Sequence, residues 1–177
     1  MVKIYQKAPE FTAQAYFKGE IKNVSLKDYK GKWVVLFFYP LDFTFVCPTE
    51  IQQFSEHYDA FKKIGCEVIG GSVDSPYSHQ AWSKGDLGEQ KFPLISDLNH
   101  AVSTAYGCYL EDKGVTLRST YIIDPEGNLQ YMQLNPLNVG RNAEEILRTV
   151  EALQTGELCQ ASWKKGEKTL SQKLAGK

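Results

Sequence analysis

Four cysteines carry whatever sulfur chemistry this chain can do: Cys47, Cys66, Cys108 and Cys159. No two are spaced as Cys-x-x-Cys, the pairing that zinc ribbons and dithiol redox motifs require. The histidines, His57, His79 and His100, form no ligand pattern, so the spacing argues against a structural metal. What each thiol can do therefore depends on its setting, and Cys47 has the most reactive one. It lies in YPLDFTFVCPTE, Tyr39 to Glu50, after an apolar run and before a segment of helical periodicity. A helix N-terminus offers unpaired N–H groups and partial positive charge. A thiol placed there is favoured as thiolate, the nucleophilic form. Pro48 suits the first turn, where a missing N–H costs nothing. Thr44, three residues earlier, can offer a hydroxyl at the same turn. Outside such a setting, a free cysteine reads as a small buried hydrophobe.

The elements that must hold this turn are legible around it. Trp33 to Tyr39, WVVLFFY, is a continuous apolar run bounded by Gly31 and Pro40. It predicts a strand buried on both faces. Ile51, Phe54, Tyr58, Phe61 and Ile64 recur at three- and four-residue spacings, which predicts a helix with one apolar face, ended by Gly65. Glu67 to Asp74 reads as a second buried strand, His79 to Lys84 as a short helix, Phe92 to Ser96 as a brief strand and Asn99 to Tyr106 as another helix. Ser119 to Ile123 and Leu129 to Leu134 flank Asp124-Pro125-Glu126-Gly127-Asn128, a turn sequence that predicts a hairpin. A last helix is predicted from Asn142, with Glu145 as a capping-box partner and Ile146, Leu147, Val150 and Leu153 on its apolar face. Gly156 breaks it. The tail beyond carries Cys159 and the lysines Lys164, Lys165, Lys168, Lys173 and Lys177, and is expected to be solvated and partly mobile.

Strand, helix, strand, hairpin and helix together predict an α/β fold with a mixed sheet. At 177 residues, without repeats or linkers, the chain is expected to be a single domain over 1–177, with 157–177 as its C-terminal tail. Hydrophobic residues are 42% and charged residues 23%, a composition that excludes a disordered chain. A net charge of −1 argues against nucleic acid or an anionic membrane as partner. The longest apolar run is far short of the ~18 residues of a membrane span. The start, MVKIYQKAPEF, shows no export signal, so a cytoplasmic protein is expected.

FYPLDFTFVCPTE resembles the active-site signature of the typical 2-Cys peroxiredoxins, in particular that of the bacterial alkyl hydroperoxide reductase C subunits. The pattern Pro-x-x-x-Thr-x-x-Cys falls on Pro40, Thr44 and Cys47. The resemblance continues, in order, through SVDSPYSHQAW (Ser72 to Trp82), FPLISD (Phe92 to Asp97), LRSTYIIDPEGNLQ (Leu117 to Gln130), VGRNAEEILR (Val139 to Arg148) and GELCQASWKKGEKTL (Gly156 to Leu170). It implies a thioredoxin-like fold, a mixed central sheet flanked by helices with an N-terminal extension. It implies reduction of hydrogen peroxide and organic hydroperoxides with neither metal nor prosthetic group. Cys47 would be the peroxidatic cysteine and pass through a sulfenic acid. Arg118 would stabilise the thiolate and the peroxide, Pro40 would shield the pocket, and Glu50 would orient the arginine. Without the resemblance, Arg118 reads equally well as a rim charge, and Glu50 as a helix-start acid.

Cys159 matches the resolving cysteine, whose disulfide with Cys47 forms between two subunits. The implied partners are a second copy of the chain, a ring of five dimers (a decamer) with contacts near Phe43 and Ser78, and a thioredoxin-like or flavoprotein disulfide reductase as electron donor. Joining the two cysteines requires the start of the Cys47 helix to unwind and the tail to loosen, so both segments are expected to have low local stability. Cys66 and Cys108 match no catalytic position and are expected to be inert structural thiols. Trp82 fits either the active-site surround or the core. The chain departs from the pattern at Gln160, where most members have proline, and in the short connection before Cys159. Gly85-Asp86-Leu87-Gly88 places an aspartate in the Gly-Gly-Leu-Gly insert of hyperoxidation-sensitive members, and no Tyr-Phe element follows in the tail. Together these predict resistance to inactivation by peroxide. A dithiol oxidoreductase, a one-cysteine peroxidase and a ring-forming holdase chaperone or redox relay are the competing readings. The absent Cys-x-x-Cys weighs against the first.

Overall fold

The computed structural model describes residues 2–176; Lys177, counted above among the tail lysines, lies outside them. A hairpin of β1 (Thr12–Phe17) and β2 (Glu20–Ser25) begins the fold. A 3-10 turn over Leu26–Tyr29 leads into β3 (Trp33–Phe38). There follow α1 (Cys47–Lys63), β4 (Cys66–Ser72), α2 (Pro76–Lys84), β5 (Leu94–Ser96) and α3 (Ala101–Ala105). A small pair, β6 (Tyr109–Leu110) and β7 (Val115–Thr116), precedes β8 (Arg118–Ile123) and β9 (Leu129–Asn135). The chain closes with α4 (Ala143–Thr155) and α5 (Leu170–Ala175). Seven strands form one mixed sheet in the order β2-β1-β5-β4-β3-β8-β9. Within it β3, β4 and β5 are parallel and the other pairings antiparallel.

The doubly buried strand is β3, and its two-residue period divides the interior. Val35, Phe37 and Tyr39 join Ile51, Phe54 and Phe61 of α1 and Ile146 and Val150 of α4 on one face. Val34, Leu36 and Phe38 join Ile69, Ile95, Tyr106 and Tyr121 on the other. Each such side chain contributes about 1.5–3 kcal/mol on leaving water. Phe37 stacks on Phe54 with centroids 4.3 Å apart. Gly70 makes room for that ring: a Cβ there would stand 2.8 Å from Phe37 Cζ.

The predicted helical face of α1 is the one that packs, with Tyr58 and Ile64 at its margin, and Gly65 follows at φ +69°. The other end of α1 is unusual. Val46, at its N-cap, has helical φ/ψ and makes no side-chain cap, whereas Ser75 caps α2, Asn142 caps α4 and Thr169 caps α5. α1 and α4 run parallel. Gln53 Oε1 accepts the Ala143 N–H at 2.6 Å near their starts, and Gln154 Nε2 donates to the Ile64 carbonyl at 2.7 Å at their far ends.

One expectation needs correction. The capping box at α4 is half formed. Asn142 Oδ1 accepts the Glu144 and Glu145 N–H groups, but the Glu145 carboxylate turns outward to Arg148 at 2.7 and 2.8 Å. That pairing holds the Glu145 carboxyl below its usual range. In the tail, Lys164, Lys165, Lys168 and Lys173 are exposed as expected, while Trp163 and Thr169 are buried and α5 lies within it.

Candidate active site

Antiparallel pairing gathers residues that are far apart in sequence. Ser119 of β8 faces Phe38 of β3, which puts Arg118 beside Tyr39 and Pro40 at the carboxyl end of β3. There the chain turns through 41–46 into α1. Arg118 pairs in turn with Asn135, so the loop leaving β9 returns over the same end carrying Leu137, Gly140 and Arg141. A Cβ on Gly140 would stand 3.3 Å from Val46 Cγ1; glycine lets this loop close on the start of α1. Ligand sites at the carboxyl ends of strands are the rule in such sheets.

Cys47 is the first residue of α1 and has no exposed surface. Arg118 Nη1 donates to Cys47 Sγ at 3.3 Å and to Glu50 Oε2 at 2.6 Å, and its Nε donates to the Leu137 carbonyl at 2.8 Å. The other oxygen of Glu50 accepts from Arg141, through Nε at 2.7 Å and the backbone N–H at 2.8 Å. Arg141 Nη1 donates to the carbonyls of Phe38 and Ser119, at 2.7 and 2.6 Å, which pins the cluster to β3 and β8. Its Cζ lies 5.2 Å from the Phe37 ring centroid, a cation–π contact.

The side chains of Glu50, Arg118 and Arg141 are all buried. Two guanidinium cations and one carboxylate leave one positive charge uncompensated, and an anionic sulfur cancels it. An unpaired buried charge costs several kcal/mol, so an anion bound at this position would meet both the uncompensated charge and the Arg118 donor.

Arg118, Glu50 and Cys47 are therefore brought together as the sequence suggested. Pro40 is buried at the strand end. Thr44 is half-buried and its hydroxyl donates to the Leu41 carbonyl at 3.0 Å. That bond shapes the loop; among the described residues none joins Thr44 to Cys47. Arg141 is the member that sequence reasoning missed. It lies inside VGRNAEEILR, but nothing in its type or spacing separates it from a solvated loop arginine.

The remaining thiols sort by surroundings. Burial, helped by the Glu67 carboxylate, pushes the Cys66 thiol up to about 12, and burial pushes Cys108 up to about 11. Both stay protonated and inert, as expected. Cys159 is half-buried just past α4, beside Thr155 and Ala152. Because α4 runs parallel to α1, Cys47 and Cys159 of one chain sit at opposite ends of α1. They are separated by roughly its length, about 25 Å, against the ~7 Å between Cα atoms that a disulfide tolerates.

Phe43 is 60% exposed, holds a left-handed φ of +55° and lies 5.6 Å, centroid to centroid, from buried Trp82 of α2. Ser78, on the same helix, is half-buried. Trp82 thus serves both readings, packing in the core and supporting the loop. Among the described residues no helix is long and apolar enough to cross a membrane.

Comparison with known proteins agrees with this geometry. The model of the AhpC/TSA family matches residues 4–132, a span that holds Pro40, Thr44, Cys47, Glu50 and Arg118. The chain is 49% identical over 174 residues to the chloroplastic 2-Cys peroxiredoxin BAS1 of Hordeum vulgare, covering 93% of this chain and 83% of that one. It is 48% identical over 177 residues to peroxiredoxin-2 of Mus musculus, covering 95% and 89%. Among solved structures, the reduced 2-Cys peroxiredoxin of Plasmodium vivax is similar with a TM-score of 0.90 at 40% identity, over 94% of this chain and 91% of that one. AhpC of Enterococcus faecalis gives 0.85 at 41% identity, over 88% and 94%. The thioredoxin-like arrangement expected from the motifs is thus the fold observed, and the chain belongs to the AhpC/TSA family, with 2-Cys peroxiredoxins as its homologues.

Proposed function

We propose that this protein is a thiol-dependent peroxidase that reduces hydrogen peroxide and organic hydroperoxides through Cys47. The observation that carries the reading is Arg118 Nη1 at 3.3 Å from a buried sulfur, in a cluster whose charges balance when that sulfur is anionic. The thiolate attacks the terminal oxygen of ROOH. An S–O bond forms, the O–O bond breaks, and the leaving alkoxide takes up a proton. Cys47 becomes a sulfenic acid. Negative charge moves from sulfur to the leaving oxygen, so the donor that held the ground state also meets the transition state. Glu50 and Arg141 act through Arg118 as positioning residues. Pro40 and Thr44 belong to the segment that leads from β3 into Cys47, and the surround of Cys47 must yield to admit peroxide because Cys47 presents no surface.

The sulfenic acid is then resolved by Cys159 of a second copy, and a dithiol donor, thioredoxin-like or a flavoprotein disulfide reductase, reduces the disulfide. The distance along α1 supports the intersubunit route. So does β9, a seven-residue strand at the sheet's edge: Leu129 at its start pairs with Tyr5 and Gln6 of the N-terminal segment, and beyond it Met132 and Leu134 are exposed. Such an edge is a template for a second copy. Residues 1–177 act as one unit with 157–177 as its tail. The four free thiols suit a reducing compartment, and we place the protein in the cytoplasm.

One equivalent of peroxide added to reduced protein is expected to give a dimer band on a non-reducing gel. The band disappears in Cys47→Ser and in Cys159→Ser; survival in Cys159→Ser refutes the two-cysteine route.

We further propose assembly of dimers into a decamer through the loop that holds Phe43 and the helix that holds Ser78. Leu41, Phe43, Phe45 and Tyr77 are exposed there, an apolar surface suited to burial. Reduced protein at micromolar concentration is expected to elute near ten subunits, and Phe43→Asp to elute as a dimer. A wild-type dimer under those conditions rules the ring out.

A further inference from the structure

Thr155 occupies the last turn of α4. Its hydroxyl has a single hydrogen, and the Ala152 carbonyl at 2.8 Å takes it. The Glu157 N–H donates to the same oxygen at 3.1 Å. Thr155 Oγ1 therefore meets Cys159 Sγ, at 3.4 Å, as an acceptor, and the thiol is the donor. The sulfur's other partner, the Ala152 carbonyl at 3.8 Å, is also an acceptor. Both lie at the C-terminal end of α4, where the helix dipole is negative. Arg148 donates to Glu145 and the Trp163 carbonyl, and none of its hydrogen bonds goes to the Cys159 sulfur, although its charge lies within reach of it. The hydrogen-bond partners of Cys159 are thus acceptors, whereas Cys47 faces a donor at the positive end of its helix.

The residue before it is fixed as well. The Leu158 N–H donates to Ser171 Oγ at 3.0 Å, and the Leu158 carbonyl accepts the Leu170 N–H at 2.8 Å. Thr169 donates to the Glu157 carboxylate beside them. Segment 157–171 is closed on itself around Cys159.

We propose that Thr155 is a positioning residue for the resolving step, latching the Cys159 thiol to the end of α4, with Ser171 as the second catch. The inference rests on the peroxidase reading above. In that step the Cys159 sulfur bonds to the Cys47 sulfur of the second copy and the S–O bond of the sulfenic acid breaks. Hydroxide leaves and takes the thiol proton as water. Cys159 is oxidised and the Cys47 sulfur reduced. The thiol cannot reach the second copy while its hydrogen is bonded to Thr155 and Leu158 is held by α5, so opening the latch precedes resolution.

Stopped-flow fluorescence of the reduced full chain separates the two steps. Sulfenic acid formation appears as a phase whose rate scales with peroxide, and resolution as a phase independent of it. Thr155→Val is expected to accelerate the second phase about five-fold, the effect of one neutral hydrogen bond, and to leave the first unchanged. Thr155→Ser, which keeps the hydroxyl, retains the wild-type rate. Ser171→Ala, remote from the core, accelerates the second phase in the same direction and serves if Thr155→Val does not fold. At excess peroxide the faster variants also accumulate less Cys47 sulfinic acid by mass spectrometry. A second phase unchanged or slowed in the variants, or accelerated equally in Thr155→Ser, overturns the latch. Absence of the first phase in the wild type overturns the peroxidase reading instead.

Discussion

Arg118→Met is expected to slow reaction with hydrogen peroxide by about 100- to 1,000-fold, the usual cost of removing one preorganised donor from a developing anion. Methionine keeps much of the length and apolar bulk of the arginine stem, so the change is chiefly one of charge and donors. Three bonds disappear together, to the Cys47 sulfur, to Glu50 and to the Leu137 carbonyl. The charge count then works against the reaction. With Arg141 alone opposite Glu50, an anionic sulfur would leave a net negative buried site. Arg118→Lys recovers only part of the rate, because an ammonium cannot span sulfur, carboxylate and carbonyl as the planar fork does. The second-order rate constant for sulfenic acid formation is the measurement. A loss under ten-fold in Arg118→Met would mean that the guanidinium is only a structural tie.

The second large effect concerns stability. Glu50→Ala is expected to destabilise the fold by about 3–5 kcal/mol, the cost of leaving buried charges without their partner, and to lower Tm by about 10 °C for a chain of this size. Glu50 accepts from Arg118 and twice from Arg141. Its loss leaves two guanidinium groups in the interior, one of them held to the carbonyls of two strands and unable to swing out. Thermal unfolding followed by circular dichroism checks this; a Tm within 2–3 °C of wild type, by the same scaling, rejects it. A buried ion cluster is poor value as a stabiliser, since well-packed apolar residues often do as well. Its use here is chemical: it supplies a fixed cation to a sulfur that must ionise.

The reactive turn was legible because its parts have strong local signatures. A seven-residue run rich in valine and aromatic residues, bounded by Gly31 and Pro40, reads as a buried strand, and Ile51, Phe54 and Phe61 mark the helix face that meets it. Placing Arg118 took the resemblance, because an arginine at a strand start has no local mark. Arg141 was hidden for a related reason. Its burial is created by the return of β9 and the parallel packing of α1 and α4, and its neighbours Gly140 and Asn142 advertise a surface loop. The β1–β2 hairpin escaped notice because it runs along the sheet's margin. Only Ala15 and Tyr16 of β1 and Val24 of β2 are buried, so the alternation is too diluted to read. α5 is six residues long, below the length at which periodicity shows, and the lysines around Trp163 masked a buried apolar side chain. Glu145 stood at the capping-box position, yet Arg148 one turn on offered a better partner than a backbone N–H.

The missing cap on α1 has a consequence for turnover. A capping side chain adds about 1 kcal/mol to a helix start, and α2 and α4 both have one while Val46 provides none. The opening coil of α1 can therefore fray more cheaply than its counterparts, while the apolar face from Ile51 onward keeps the rest of the rod seated. In the cycle proposed above, such fraying would carry the sulfenic sulfur out of its pocket and away from Arg118. One valine that cannot close a hydrogen bond would then serve the resolving step.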